Sequence, residues 1–296
     1  MLSKNEFEVL VLMADADSEI SQSEISAKTG FSADTVNAVL KELCEKKFTD
    51  ENKITASGLE ALEPYKVRRA IFLAAGFGSR LVPITLNTPK PLVRVNGTRI
   101  IDTLLDAVVA AGIPEVVIVR GYLGEQFDQL LYKYSDIKFV ENPLFNETNN
   151  ISSAMCIKDL LQNAYVLESD LMLKNPSLIR KYEYETNFLG IPVEVTNDWC
   201  FETDSNGVIT AQSVGGKNCH QMVGISYWDS KDGARLAVDL SDVYDSPGGK
   251  ERYWEQTAVH YRKENYKVAV RECKFEDVIE IDTFNELKQI DKIYEL

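Results

Sequence analysis

The chain has 296 residues, 45% of them hydrophobic, and its 46 acids against 32 bases give a formal net charge of −14. That length allows one large domain or a large one with a small companion, while the acidic balance argues against a generally basic nucleic-acid footprint. No apolar run approaches the ~20 residues of a membrane span, acids interrupt the opening "MLSKNEFEVLVLMADADSE" where a signal peptide would be apolar, and Cys44, Cys156, Cys200, Cys219 and Cys273 form no C-x-x-C pair, which together predict a cytoplasmic protein with reduced thiols.

Residues 1–65 read as a small helical module. "SQSEISAKTG" and "SADTVNAVLKELCEKK" are two helical patterns, each opened by a serine N-cap and joined by a turn at Gly30. "KFTDENKITASGLEAL" predicts a short hairpin and then a further helix. This order resembles a winged helix-turn-helix, a DNA-binding motif. The presumed recognition helix, however, carries Asp34, Glu42 and Glu45 beside Lys41, Lys46 and Lys47, and the module as a whole is acidic. Binding duplex DNA means neutralising phosphates, so docking, dimerisation or regulation is the preferred reading and DNA binding is not expected.

The second predicted domain, 66–296, alternates short apolar strands with amphipathic helices. "RAIFLA", "EVVIVRG", "IKFVEN" and "AYVLESD" read as strands, with "RIIDTLLDAVVAAG", "GEQFDQLLYKY" and "ISSAMCIKDLL" as the helices between them. That alternation predicts a doubly wound α/β domain with a mostly parallel, Rossmann-like sheet. Beyond Asn187, "NFLGIPVEV", "VITAQSV" and "QMVGISYWD" predict an antiparallel extension carrying part of a substrate site. The strand "YKVAVREC" and the capped helix "DTFNELKQIDKI" close the domain.

In such a sheet the loop after the first strand often holds phosphate. Here it reads "AIFLAAGFGSRLVPITLNTPKPL". Gly76 and Gly78 allow bare backbone near a phosphate, Arg80 adds a charged donor, and Lys90 is held between Pro89 and Pro91. The spacing fits neither a P-loop nor a dinucleotide fingerprint. A plain glycine-rich turn would account for Gly76 but not for Arg80 and Lys90 together.

Residue by residue, "LAAGFGSRLVPITLNTPKPL" resembles the signature of nucleotidyltransferases that join a nucleoside triphosphate to a phosphorylated small molecule. Further blocks, "GYLGEQFDQL", "NETNNISSAM", "VLESDLML", "TNDWCFE", "GISYWD", "RYWEQTA" and "VIEIDTFNEL", resemble the bacterial CTP:phosphocholine cytidylyltransferases of the LicC type. The resemblance implies attack by a phosphate oxygen of phosphocholine on the α-phosphorus of CTP, with Mg2+ as cofactor. It places Leu73, Ala74, Ala75, Gly76, Gly78 and Ser79 around the nucleotide, Lys90 on its α-phosphate and Arg80 on the β- and γ-phosphates. Gly121 and Tyr122 would approach the base, and Asn149 and Asn150 nucleotide and substrate, although helix capping explains that pair nearly as well. Gln126 reads as structural.

Asp170 and Glu255 are the implied metal ligands; Glu255 stands where the family carries aspartate. A helix N-cap and a solvated helix acid are the respective alternatives. A quaternary ammonium is held by aromatic faces and carboxylates, which points to Trp199, Tyr253 and Trp228 with Glu194 and Asp198, against the alternative that strand aromatics are core. His220 beside Cys219 reads as structural.

The expected partners are CTP and phosphocholine, with a second copy of this chain or a fused or separate choline kinase as macromolecular candidates. Another acceptor (2-aminoethylphosphonate, phosphoethanolamine or a sugar 1-phosphate) on the same fold is the nearest alternative. A transcriptional regulator that senses a nucleotide is the alternative from another class.

Overall fold

The computed structural model describes residues 1–16, 19–50 and 52–295. These fall into two compact units: residues 1–66 with 182–184, and residues 67–181 with 185–296.

In the first unit, α1 (Lys4–Asp15), α2 (Gln22–Thr29), α3 (Ala33–Glu45) and α4 (Ala56–Leu62) surround a two-residue-per-strand hairpin of β1 (Thr49–Asp50) and β2 (Lys53–Ile54). Ser3 and Ser21 form reciprocal capping boxes, Ser32 caps α3, and Gly30 ends α2 at φ +73°. Phe7, Leu10, Ile25, Val36 and Leu43 make the core, joined by Tyr182. No pattern in the sequence links that distant tyrosine to the helices.

The second unit is built on β3 (Arg69–Ala74), the hairpin β4 (Arg94–Val95)–β5 (Thr98–Arg99), α5 (Ile100–Ala110), β6 (Glu115–Arg120), β7 (Lys138–Glu141) and α6 (Ile151–Cys156). There follow β8 (Ala164–Glu168), β9 (Leu171–Leu173), β10 (Asn187–Thr203), β11 (Ile209–Trp228), α7 (Ser230–Asp245), β12 (Ala269–Glu272), β13 (Val278–Glu280) and α8 (Phe284–Ile290). The main sheet runs β12-β10-β11-β8-β3-β6-β7. β8, β3, β6 and β7 are mutually parallel, whereas β11 runs antiparallel to β8 and to β10.

Strand periodicity explains the layers. Along β3, Phe72 faces a core with Leu104, Leu105 and Val108 of α5, while Ile71 faces the other core with Leu236 and Leu240 of α7. Each such side chain contributes roughly 1.5–3 kcal/mol of burial, so a strand apolar on both faces has no stable place except the sheet centre.

Some predicted elements differ. "GEQFDQLLYKY" is a 3-10 helix, Gly124–Tyr132, rather than an α-helix. The helix expected over "ISSAMCIKDLL" stops at Cys156 and resumes only as a 3-10 turn, Lys158–Leu160. "VITAQSV" and "QMVGISYWD" are one continuous strand, β11, whose pairing with β10 shifts register repeatedly near Cys200 and Phe201. Those shifts coil the hairpin, so period-2 reading breaks into two pieces what the backbone leaves whole.

Candidate active site

β3 delivers the chain into the glycine loop. Gly78 lies at φ +61°, and a Cβ there would come 2.8 Å from the Cβ of Lys90. Glycine therefore serves both the left-handed backbone and the close passage of the lysine stem. Lys90 opens a 3-10 turn that runs to Leu92, and its side chain is buried. Its Nζ donates to Asp170 Oδ2 at 2.8 Å and Asp282 Oδ1 at 3.1 Å. Burial disfavours the ammonium, but the two aspartates more than offset this, and the lysine titrates above its ordinary value. Arg80 forks onto Asp282, with Nη2 at 2.8 Å and Nη1 at 2.9 Å.

Asp170 follows β8 at its carboxyl end and leads into β9, not into a helix, so it is no N-cap. β13 pairs antiparallel with β9, Glu280 opposite Leu171. That pairing carries Glu280 and Asp282 to Asp170, and one carboxylate oxygen from each lies within 4.8 Å of the others. Burial, then Asp170, Asp282 and Asp198, push Glu280 up to about 8. Asp170 Oδ1 is buried and, among the described residues, lacks a hydrogen-bond partner. A convergent set of hard oxygens, one of them orphaned, fits a divalent cation of the magnesium type.

Two cavities meet at this acidic group. The first, about 390 Å³, is lined by Leu73, Ala74, Ala75, Gly76, Gly78, Ser79, Arg80, Lys90, Asn149, Asn150, Asp170 and Tyr253, with Asn142, Phe145, Ser153 and Asp282 among others. The second, about 480 Å³, is lined by Asp198, Trp199, Met222, Gly224, Tyr253, Glu255 and Glu280, and shares Arg80, Glu168, Asp170, Tyr253 and Asp282 with the first. Both sizes suit small-molecule ligands. The Trp199 and Tyr253 rings meet edge to face, with centroids 5.5 Å apart.

Several predicted site residues are placed differently. Trp228 is fully buried, packs on Phe188 and Trp254, and donates Nε1–H to Ser226 Oγ, so it is core and cannot touch an acceptor. Glu194 is exposed on β10 and lines neither cavity. Gly121 and Tyr122 stand behind the first cavity: a Cβ on Gly121 would strike the Phe145 ring at 2.7 Å, and the Tyr122 hydroxyl donates to the Thr85 carbonyl. They support the wall rather than form it. Gln126 ties its amide to the Asn87 carbonyl, and His220 faces Glu272.

Glu255 lies outside the convergent carboxylates. Only 3% exposed, it is no solvated helix acid; burial pushes it up to about 7, although hydrogen bonding from Gln212 and Asn150 pulls the other way. Its Oε2 has no hydrogen-bond partner among the described residues.

Sequence reasoning missed Glu280 and Asp282. Strand alternation in "VIEIDTF" puts both on one face at a strand end, and that pattern was the available signal.

The profile of the Nucleotidyl transferase family matches residues 69–211, and that of Winged helix-turn-helix DNA-binding matches residues 2–48. The chain is 34% identical to the 2-aminoethylphosphonate cytidylyltransferase of Lancefieldella rimae over 228 residues, 76% of this chain and 92% of that one. It is 31% identical to the choline-phosphate cytidylyltransferase of Streptococcus pneumoniae, over 76% of this chain and 97% of that one. The solved structure of CTP:phosphocholine cytidylyltransferase from Streptococcus pneumoniae superposes with a TM-score of 0.71 at 30% identity, covering 77% of this chain and 99% of that one.

Proposed function

Since the chain belongs to the nucleotidyl transferase family, we propose that it is a cytidylyltransferase joining CTP to a small phosphonate or phosphate that carries an ammonium group. The observation that carries this reading is the second cavity, where Trp199 and Tyr253 stand with Asp198 and Glu255 beside the shared acidic group.

Between acceptors, the unpartnered Glu255 Oε2 favours a primary ammonium, which donates hydrogen bonds where a quaternary one has none. The first reading is therefore 2-aminoethylphosphonate. Phosphocholine is the second, favoured by the Trp199–Tyr253 pair.

An acceptor oxygen attacks the α-phosphorus of CTP; the new P–O bond forms as the bond to pyrophosphate breaks, and the electron pair leaves with pyrophosphate. Lys90 holds the α-phosphate and Arg80 the β- and γ-phosphates, stabilising charge where it shifts during transfer. Asp170, Glu280 and Asp282 would hold Mg2+, which when bound neutralises phosphate charge.

The test is pyrophosphate release from each of four nucleoside triphosphates against 2-aminoethylphosphonate, phosphocholine, phosphoethanolamine and glucose 1-phosphate. Turnover confined to CTP with ammonium-bearing acceptors is expected; preference for glucose 1-phosphate would end the reading. The N-terminal unit is assigned to docking or regulation, on thirteen acids against seven lysines in residues 1–66. Steeply salt-dependent, micromolar binding of the full chain to random duplex DNA would overturn that assignment.

A further inference from the structure

Asn149 and Asn150 border the first cavity, yet their hydrogen bonds run to the chain that walls the second. The Asn149 N–H donates to the Lys250 carbonyl at 2.8 Å, and its Nδ2 donates to the Glu251 carbonyl at 3.1 Å. Its Oδ1 accepts from the Asn150 backbone N–H at 2.7 Å, tying the Asn149 side chain to the main chain of the next residue. Asn150 Oδ1 accepts from the Trp254 N–H at 2.9 Å. An asparagine at the start of a helix ordinarily turns its oxygen onto that helix's own N–H groups; Asn150 precedes α6 and makes no such bond.

Residues 250–254 are thus strapped at both ends, and Tyr253 lies inside the strap, lining both cavities. Trp254 is buried against Phe188 and Trp228, so the far end is anchored in the core. Glu255 follows directly after the anchored Trp254 and lines the second cavity. The rim of the strap, at Tyr253, faces the second cavity.

We infer that Asn149 and Asn150 are positioning residues for the acceptor wall, acting through Tyr253 and Glu255, and that the nucleotide depends on them little. This rests on the assignment of the second cavity to the acceptor. Loss of a wall that grips acceptor equally before and during reaction raises KM and spares kcat.

The experiment compares Asn150→Ala, Asn150→Asp and Asn149→Ala in the full chain, measuring acceptor KM, kcat and the calorimetric Kd for CTP. Asn150→Ala should raise acceptor KM by about ten-fold or more, with kcat within about three-fold and CTP Kd within about two-fold. Asn150→Asp, which keeps the accepting oxygen, should recover most of the KM. Asn149→Ala, which leaves the Trp254 anchor, should shift KM in the same direction by less, and it decides the matter if Asn150→Ala does not fold. A rise in CTP Kd with unchanged acceptor KM would make the pair nucleotide contacts, and equal losses in all three constants would make it merely structural; either overturns the inference. Absence of turnover by the parent chain with every acceptor would instead indict the functional assignment, while the CTP affinities of the variants still test the pair.

Discussion

The two cavities are made in different ways. The largest single contribution to the first comes from the end of β3 and the loop after it, where Gly76, Gly78, Arg80 and Lys90 lie within fifteen residues of one another. The second is assembled from separated segments: Asp198 and Trp199 on β10, Met222 and Gly224 on β11, Tyr253 on the strap with Glu255 just after it, and Glu280 on β13. A loop carries its geometry with it, whereas a wall of distant pieces exists only once strand pairing has placed them. Damage to the first should therefore strike chemistry, and damage to the second should strike acceptor recognition.

The largest effect is expected at Lys90. Lys90→Ala removes a buried cation placed against shifting phosphate charge, and kcat should fall by about 10³-fold or more. Pyrophosphate release at saturating CTP measures it, and near-parental turnover would break the assignment of the loop to chemistry. The exposed Arg80 should cost less, about ten- to a hundred-fold by the same assay.

The acidic junction separates the two metal assignments. Asp170→Asn should weaken Mn2+ binding at least about ten-fold by calorimetry, because it replaces a hard anionic donor by an amide. Glu255→Gln should leave it within about two-fold. The reverse ranking would restore Glu255 as a ligand and unseat the convergent carboxylates.

In the second cavity, Trp199→Ala should raise acceptor KM about ten-fold, from a loss of roughly 1.4 kcal/mol, with CTP Kd unchanged. Parallel losses in both constants would make Trp199 a packing residue.

A further difference concerns Glu255 and pH. Its carboxyl titrates near 7 in the folded chain, above its ordinary 4.5, so between those values the unfolded chain ionises while the folded chain holds its proton. Stability falls as pH rises through that window, and the loss is complete above about 7. Glu255→Gln should thus be more stable than the parent at pH 8, by up to about 3 kcal/mol in denaturant unfolding, and match it at pH 4. The ionised carboxylate is also the form that attracts ammonium, so the parent's acceptor KM should fall through pH 7 more than that of Glu255→Gln. Glu168 shares this cavity, and the Glu255 charge adds to the upward push on its carboxyl, so part of the difference between the two proteins is carried by Glu168.

The sequence by itself determined the local features: the serine caps, the Gly30 turn, the alternation behind the doubly wound sheet, and the loop with Arg80 and Lys90. Each is specified by residues a few positions apart, through capping, backbone freedom and periodicity. Tertiary structure decided the rest. Trp199 and Trp228 look alike as strand aromatics, and only tertiary packing separates them: Trp199 lines the second cavity, whereas Trp228 is buried against Phe188 and Trp254. Asp170 and Asp282 are over a hundred residues apart, and the β9–β13 pairing alone brings them to one point. Asn149 and Asn150 carry no mark in sequence of the chain they hold, because a hydrogen bond to a backbone carbonyl or N–H asks nothing of the partner's side chain.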